Sequence, residues 1–502
     1  MTVPLQAELN AIVQRAKVAR DAGQWRDAIA LYAKANEIDG VRYDIKHNLA
    51  LSLIAVNRVD DGLLYLSHAL ALKPDLWPSH VLKAKVMRGR GLIEEADSVL
   101  THILKHDPRN GHALLAAADL DMNEFGDPVG ARERVAPLLR DAAFKGEAEL
   151  TTLMSKLYDR DESDEELSYM LMDFAKRELS MPGFTFSVEA MAGVTNRTGR
   201  KRVGLLSPMF CASPVYFLTI STFRQLAKSS DLIILNRGAK EDWGTKAFRD
   251  IATEWHNVQN VDAETLANAI KKQSLDVLFD LGGWSDPIGL KALSVKPAKK
   301  MYKWVGGQSA TTGLTTFDGF LTDEIQSPPG SEALHSEPLV RLPGGYVSYV
   351  APPYLPRHPV SGLLPASNVV AVAGNPAKLS RSFMQRIGRS GAELVFIDKR
   401  YAYSRTTRRV EQALKGNASF RSPSSHHDYM KAINHFQTFM DSSPYSSGLT
   451  ATELIVMGKK IIPSPGQLVS SRHCQSHLHY AEAGTLCSNS VFVNWGKKTW
   501  LN

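Results

Sequence analysis

The sequence repeats one pattern at a step of 34 residues, in Trp25-Arg-Asp-Ala-Ile-Ala-Leu-Tyr-Ala-Lys-Ala35, Val59-Asp-Asp-Gly-Leu-Leu-Tyr-Leu-Ser-His-Ala69 and Ile93-Glu-Glu-Ala-Asp-Ser-Val-Leu-Thr-His-Ile103. Each segment has a small residue, then apolar residues four and seven positions later. Residues at this spacing share one face of an α-helix. The small position is filled in turn by Ala28, Gly62 and Ala96. The pattern therefore predicts three similar helices, each with a point of close approach to a neighbouring helix.

Turn residues recur at the same step. The residues between the paired helices are Gly23, Asn57 and Gly91, and those that close each unit are Gly40, Pro74 and Pro108. A helix–turn–helix unit of about 34 residues is typical of tetratricopeptide repeats. We predict such an array over residues 1–180, with clear repeats at 8–110 and a degenerate repeat and capping helices to 180. Arrays of this kind present extended binding surfaces, so we expect an acceptor or partner protein.

Composition excludes several other classes of protein. The chain has 502 residues, a net charge of +7 and a pI of about 9.0, and its basic runs are short and scattered. We therefore expect no nucleic-acid partner and a preference for an acidic ligand such as a nucleotide sugar. No apolar run reaches the length of a membrane span, and no signal peptide is visible at the start. Three scattered cysteines predict a reducing, cytoplasmic location and no structural metal.

After the predicted array, short apolar strands alternate with helices. A linker is predicted at 181–202, a first Rossmann-like lobe at 203–350, a second linker at 351–367 and a second lobe at 368–502. Strands in such lobes are parallel and buried, and ligands bind outside their carboxyl ends. The predicted fold class is therefore α plus α/β: a helical solenoid followed by two Rossmann-like lobes with a ligand cleft between them.

One stretch of the second lobe has the features of a phosphate site. Asp441-Ser-Ser-Pro-Tyr-Ser-Ser-Gly-Leu-Thr-Ala-Thr-Glu453 runs from a strand through a Ser/Gly turn into a helix. Backbone N–H groups at such a helix start favour a pyrophosphate. The hydroxyls of Ser447 and Thr450 would add donors near Gly448, and Glu453 would accept from ribose hydroxyls. The alternative is an ordinary Ser-capped helix.

A second candidate lies after the first strand of the same lobe. Asn375-Pro-Ala-Lys378 places an amide and an ammonium at the strand's carboxyl end. Lysine at this point could neutralise a diphosphate as a point charge. A surface lysine in a loop is the alternative interpretation.

In their order along the chain, these and other segments resemble the family of O-linked N-acetylglucosamine transferases and their plant relative SPINDLY. The segments that carry the resemblance, beside the two just described, are Arg202–Phe210, Asp276–Gly283, Lys296–Ala298 with Trp304–Gly306, Phe317–Asp323 and Glu337–Gly345. Members of this family carry tetratricopeptide arrays ahead of a two-lobed, GT-B-like catalytic region. Some bacterial members modify flagellin with nonulosonic acids.

The resemblance implies a function and roles for particular residues. It implies a protein O-glycosyltransferase, hexosyl or nonulosonyl, acting from a nucleotide sugar on Ser or Thr hydroxyls, with flagellin among the candidate acceptors. Lys378 is similar to the family's diphosphate lysine, Asn375 to a nucleotide-contacting amide and Tyr429 to a residue near the base. Gly448, Leu449 and Thr450 align with the phosphate-binding turn, where the family usually has two threonines and this chain keeps only Thr450, and Glu453 matches the acidic ribose position. Neither a metal nor another cofactor is expected.

The catalytic positions depart from the family pattern. Where members usually have a histidine before Pro-Val, this chain has Ser213, and a Gly-His-Thr or Gly-Tyr-Thr is replaced by Gly283-Trp-Ser285. Serine alone is not a base near neutral pH, where histidine serves best. Asp286 and Asp280, with Asp323, are the remaining candidate bases, or a water chain takes the proton. The alternative function is a catalytically inactive tetratricopeptide scaffold that keeps the transferase fold.

Overall fold

The computed structural model describes residues 3–184, 199–356, 368–414 and 418–488. The predicted linkers at 181–202 and 351–367 lie partly outside these residues, and the closing segment 491–502 lies wholly outside them. The chain divides into two compact units, which are Met1–Glu124 with Gly130–Thr151 and Asn260–Asp262, and Phe125–Val129 with Thr152–Gln259 and Ala263–Asn502.

The N-terminal part of the chain is helical. Its helices are α1 (Val3–Asp21), α2 (Trp25–Ile38), α3 (Tyr43–Ala55), α4 (Val59–Leu72), α5 (Trp77–Gly89), α6 (Ile93–His106), α7 (Gly111–Asn123), α8 (Pro128–Val135), α9 (Lys145–Lys156) and α10 (Asp164–Phe174). The first six form three helix pairs at the predicted step, so the tetratricopeptide prediction is confirmed.

The residues at the repeat positions are buried in the array, as their spacing predicts. Ala28, Tyr32 and Ala35 are buried and pack in one cluster with residues of α1 and α3. At the turns, Gly23 has φ +70°, Asn57 +64° and Gly91 +78°. This left-handed conformation at a helix end is the one that glycine and asparagine adopt most readily. The sequence step thus sets both the core and the turns of the array.

The first lobe is a seven-stranded, fully parallel sheet in the order β3-β2-β1-β4-β5-β6-β7. Its strands are β1 (Lys201–Ser207), β2 (Ser230–Asn236), β3 (Glu254–Asn257), β4 (Val277–Asp280), β5 (Lys300–Lys303), β6 (Gly319–Thr322) and β7 (Leu339–Arg341). Its helices are α11 (Pro214–Leu226), α12 (Trp243–Arg249), α13 (Ala263–Lys272) and α14 (Pro287–Leu293).

The second lobe is a five-stranded parallel sheet in the order β10-β9-β8-β11-β12. Its strands are β8 (Val369–Ala373), β9 (Glu393–Ile397), β10 (Ala418–Arg421), β11 (Thr438–Met440) and β12 (Lys460–Ile462). Its helices are α15 (Arg381–Gly388), α16 (Ser404–Leu414), α17 (His426–Asn434), α18 (Leu449–Val456) and α19 (His473–Glu482). Two Rossmann-like lobes after a helical solenoid confirm the predicted fold class.

Each sheet has one point where the strand order reverses. The reversal lies between β1 and β4 in the first lobe and between β8 and β11 in the second. Loops that leave neighbouring strands at such a point turn away from each other and leave a crevice for ligands. Both the loop after β8 and the loop after β11 carry predicted site residues.

Residues 152–179, here called the docking segment, belong with the α/β unit. The sequence pattern predicts them as capping helices of the array. Within the docking segment, α10 begins with a capping box. The Ser163 hydroxyl accepts from the Glu166 N–H, and the Glu166 carboxylate accepts from the Ser163 N–H. The Phe174 ring lies 6.1 Å from the Trp284 ring in the first lobe. The segment therefore contributes to the packing of the lobes.

Candidate functional site

A cavity of about 380 Å³ lies at the carboxyl edge of the second sheet. The loops after β8, β9 and β10 and the start of α18 line it, and Pro214 of the first lobe closes one side. All seven residues predicted to bind a nucleotide sugar line this cavity: Asn375, Lys378, Tyr429, Ser447, Gly448, Thr450 and Glu453. The structure thus brings together residues that the sequence places on three separate segments. Their contact with a ligand stays a prediction.

The loop after β11 is shaped by the buried carboxylate of Asp441. One of its oxygens accepts a hydrogen bond from the Ser447 N–H at 2.8 Å, and the other accepts from the Ser446 hydroxyl at 2.7 Å. Burial raises the pKa of Asp441, and these hydrogen bonds oppose the rise. The loop is therefore fixed before the helix that follows it begins.

Helix α18 starts without a side-chain cap. Its N-cap is Gly448, which has no side chain to accept from the N–H groups of the first turn. A Ser-capped helix, the alternative from sequence, is not what the structure shows. Uncapped N–H groups and the positive end of the helix dipole favour an anion at this point. Nearby, the Thr450 hydroxyl lies 3.3 Å from the Tyr429 hydroxyl, so two predicted residues share one edge of the cavity.

Lys378 is held in place rather than free in a loop. It ends a short 3-10 helix whose cap is Asn375, and the Asn375 side chain accepts from the Ala377 N–H at 3.0 Å. The Lys378 ammonium donates to the Ser446 carbonyl at 2.9 Å and lies 4.4 Å from the centre of the Tyr445 ring. Burial lowers the pKa of Lys378 to about 8, partly offset by Asp441. An anionic ligand beside Lys378 would raise this pKa again, because a nearby negative charge stabilises the ammonium form.

Glu453 has a partner that the sequence did not reveal. Its carboxylate is 1% exposed and lies 2.8 Å from His426 Nε2, while His426 Nδ1 lies 2.8 Å from the Tyr354 hydroxyl. Burial raises the pKa of Glu453, and His426 opposes the rise. His426 itself lines the cavity and stacks on Phe217 of the first lobe at 5.6 Å. In the sequence, His426 is distinguished only as the first of two adjacent histidines, His426 and His427.

A second cavity of about 260 Å³ adjoins the first and lies between the lobes. The two share Pro214, Lys378, Gly448 and Leu449. The remaining lining comes mostly from the first lobe, and it includes Ser285, Val305, Gly306, Gly307, Gln308, Tyr346, Tyr445 and His473. A group attached to a diphosphate at Lys378 would enter this second cavity.

The turn after β5, residues 305–307, is organised around a buried ammonium. Val305, Gly306 and Gly307 have positive φ angles of 21°, 70° and 55°. The side chain of Lys303 is 0% exposed, and its ammonium donates to the carbonyls of residues 304, 305 and 306 at 3.3, 3.1 and 2.5 Å. Burial lowers the pKa of Lys303, while the Asp280 charge opposes this. The lysine thus fixes one wall of the second cavity.

The predicted catalytic residues line neither of these two cavities. Asp286 is paired with Arg237 through two hydrogen bonds of 2.6 and 3.0 Å, and it caps α14. Asp280 accepts from the N–H groups of residues 282 and 283 and lies 3.5 Å from the Lys303 ammonium. Ser213 donates its hydroxyl to the Met209 carbonyl at 2.9 Å. All three are buried in structural contacts, and their catalytic role stays a prediction.

Asp323 and His473 belong to a buried polar cluster beside the second cavity. The Asp323 carboxylate accepts from the Ser476 hydroxyl at 2.6 Å. His473 Nδ1 lies 2.8 Å from Gln326 Nε2 and 2.7 Å from the Tyr346 hydroxyl. Burial holds the pKa of His473 well below its usual range, so the ring is neutral. No motif in the sequence singles out His473.

Within the described ranges, no group of three or more histidine, cysteine, aspartate or glutamate side chains is arranged to hold a metal ion. Among the same residues, no helix has the length and apolar character needed to cross a membrane. The cysteines Cys211, Cys474 and Cys487 are free.

The fold and the cavities define a class: a tetratricopeptide array followed by a two-lobed, GT-B-like region with two adjoining cavities. No family model matches the chain. It is 24% identical over 306 residues to the probable UDP-N-acetylglucosamine–peptide N-acetylglucosaminyltransferase SPINDLY of Oryza sativa, covering 57% of this chain and 33% of that protein. It is 25% identical over 284 residues to the SPINDLY protein of Arabidopsis thaliana, covering 53% and 31%.

A solved structure shares the fold of the whole chain. The O-GlcNAc transferase mutant of Thermobaculum terrenum superposes with a TM-score of 0.59 at 20% identity, covering 100% of this chain and 91% of that one. The chain spans about a third of the length of the SPINDLY proteins it matches. The chain is similar to the O-linked N-acetylglucosamine transferase and SPINDLY family, and the resemblance inferred from its motifs is confirmed.

Proposed function

We propose that the chain is a protein O-glycosyltransferase, which transfers a sugar from a nucleotide sugar to a Ser or Thr hydroxyl of an acceptor protein. The observation that carries the proposal is the first cavity. It gathers the Lys378 ammonium and the uncapped start of α18 at the reversal point of the second sheet. The relatives named above support a sugar donor, because their names describe UDP-N-acetylglucosamine–peptide transferases.

In the proposed reaction, the acceptor hydroxyl oxygen attacks the anomeric carbon of the donor sugar. The bond from that carbon to the phosphate oxygen breaks, and the nucleotide leaves with the bonding electrons, as a nucleoside diphosphate from a UDP or GDP sugar and as CMP from a CMP sugar. Lys378 and the α18 N–H groups stabilise the charge that develops on it, without a metal ion. The hydroxyl proton passes to water in the cleft, since Asp280 and Asp286 are held in buried contacts. In the same proposal the nucleoside lies in the first cavity, with its ribose hydroxyls at Glu453 and its base near Tyr429.

The acceptor is proposed to bind the array, with flagellin as one candidate, and a cytoplasmic location is part of the same proposal. The transferred sugar is a hexose or a nonulosonic acid. The alternative is a catalytically inactive scaffold that binds the nucleotide sugar without transfer. The buried contacts of Asp280, Asp286 and Ser213 favour this alternative.

One experiment tests the proposal and separates the two functions. Thermal unfolding is followed with UDP-N-acetylglucosamine, a GDP sugar and a CMP sugar, for the natural chain and for Lys378→Ala. A ligand raises the midpoint by mass action, and the rise is smaller in the Lys378→Ala variant because its affinity is lower. Transfer to candidate acceptors, including flagellin, is then measured by mass spectrometry. No shift with any of the three donors contradicts the proposal, and a shift without transfer to any acceptor supports the scaffold.

A further inference from the structure

The ring of Tyr445 connects the docking segment to the candidate diphosphate lysine. The Lys378 ammonium lies 4.4 Å from the centre of this ring. The Tyr158 ring stacks on it with a centroid distance of 5.1 Å and an interplanar angle of 15°. The Tyr445 hydroxyl lies 3.1 Å from the Ser309 hydroxyl of the first lobe. One aromatic ring is therefore held by three parts of the chain.

The backbone beside Tyr445 binds the same ammonium. The Ser446 carbonyl accepts from Lys378 Nζ at 2.9 Å, and the Ser446 N–H donates to the Ser470 carbonyl at 2.8 Å. The position of the Lys378 charge thus depends on residues 445 and 446 together. A cation over a desolvated aromatic face is bound more strongly than one at an exposed face, provided the ring keeps its orientation.

The docking segment is anchored by two aspartates that follow Tyr158 in sequence. The Asp159 carboxylate accepts from the Arg381 N–H at 2.8 Å, at the start of α15. The Asp164 carboxylate accepts from the Gln467 and Leu468 N–H groups at 2.8 and 3.2 Å. Hydrogen bonds to an ionised acceptor are the stronger kind. Tyr158 is therefore presented to Tyr445 at a fixed position.

We propose that Tyr158 is a positioning residue of the first cavity, acting through the Tyr445 ring on the Lys378 ammonium. The inference rests on the proposed function, because it takes Lys378 as the group that meets the diphosphate. Tyr158 does not line the cavity, so it acts only through Tyr445. The docking segment, which follows the repeats directly in sequence, is then part of the nucleotide-sugar site.

A double-mutant cycle in the full chain tests this role. The dissociation constants of UDP and GDP are measured by calorimetry for the natural chain, Tyr158→Leu, Lys378→Met and the double variant. Tyr158→Leu weakens binding about three- to tenfold, the range of an aromatic stacking pair. In the Lys378→Met background the same substitution has no further effect, because the two residues act as one unit. Thermal stabilisation by millimolar UDP or GDP provides the same comparison where calorimetry lacks sensitivity.

Two control variants accompany the cycle. Tyr158→Phe keeps the stacked ring and retains the natural affinity. Tyr169→Leu, on an exposed position of α10 in the same segment, also leaves it unchanged. A loss that is equal in both Lys378 backgrounds indicates packing alone and overturns the inference, as does a Tyr158→Leu variant with natural affinity. A natural chain that binds neither nucleotide nor any donor sugar overturns the proposed function, and the inference with it.

Discussion

The Lys303 ammonium and the Asp280 carboxylate lie 3.5 Å apart in the interior of the first lobe, with side chains 0% and 3% exposed. The pair joins the loop after β4 to the turn after β5, and this turn lines the second cavity. A charged pair this deeply buried is stable only while both partners are present, because each alone would be an uncompensated charge.

Lys303→Met should therefore destabilise the fold. The free energy of unfolding is expected to fall by about 3 kcal/mol, since Asp280 loses its buried partner. Adding Asp280→Asn should recover part of this loss by removing the charge. Urea denaturation measures both. Lys299→Met is the matched control, because it breaks a half-exposed pair with Asp276 that is worth less than about 1 kcal/mol. Equal losses in the two lysine variants would contradict the assignment.

The His426–Glu453 contact predicts a graded response to substitution. His426→Leu leaves a buried carboxylate without its partner, and such a loss costs about 1–3 kcal/mol. We expect the free energy of unfolding to fall by about this amount, and His426→Gln to restore part of the stability by donating to Glu453. Scanning calorimetry gives the comparison. The exposed neighbour serves as control, and a His427→Leu variant as unstable as His426→Leu would speak against the contact.

The lowered pKa of Lys378 predicts a pH dependence of nucleotide binding. With a pKa of about 8, the free site carries the ammonium below pH 8 and loses it as the pH rises. A diphosphate binds the charged form, so affinity is full below pH 8 and falls by up to about tenfold for each unit above it. In Lys378→Arg the guanidinium stays charged, and the profile should be flat. A natural chain with constant affinity from pH 7 to 9.5 would refute this role for Lys378.

Gly62 predicts a stability difference within the array. A Cβ added there would lie 2.5 Å from Ile54 Cγ1. The equivalent of Ile54 in the other two repeats is a flexible arginine, Arg20 or Arg88, and there alanine is accommodated. Gly62→Ala should lower the free energy of unfolding by about 1–2 kcal/mol through overpacking. Gly89→Ala, where nothing lies within 4 Å of the added carbon, should be neutral or stabilising. Thermal and urea unfolding of both variants measure the contrast.

The periodic and local features of the fold could be predicted from the sequence, and so could seven of the residues that line the first cavity. The 34-residue step determined the helix pairs and their turns, because each repeat makes its contacts with its immediate neighbours. Apolar runs of four or five residues located most strands of both sheets, as at Val369–Ala373 and Leu394–Ile397. Six of the seven candidate residues stand at or near a strand end or a helix start, positions that sequence patterns mark, whereas Tyr429 was assigned from the family resemblance. Their contact with a ligand stays a prediction.

Pairs of residues that are distant in sequence could not be predicted. No sequence pattern indicates that His426 meets Glu453, that Tyr158 stacks on Tyr445, or that Lys303 is buried against Asp280. It also presented Asp286 as a candidate base, whereas Arg237 engages both of its oxygens.

By itself, the sequence determined the repeat array, the order of the strands along the chain and the residue types that line the first cavity. Only the tertiary structure decided which carboxylates are engaged in buried contacts and which histidine lines the first cavity. It also decided that residues 152–179 pack with the lobes. The reason is physical. Repeat contacts and strand patterns depend on neighbours at short, regular separations, whereas burial, charge pairing and ring stacking depend on which distant segments the packed fold brings within a few ångströms.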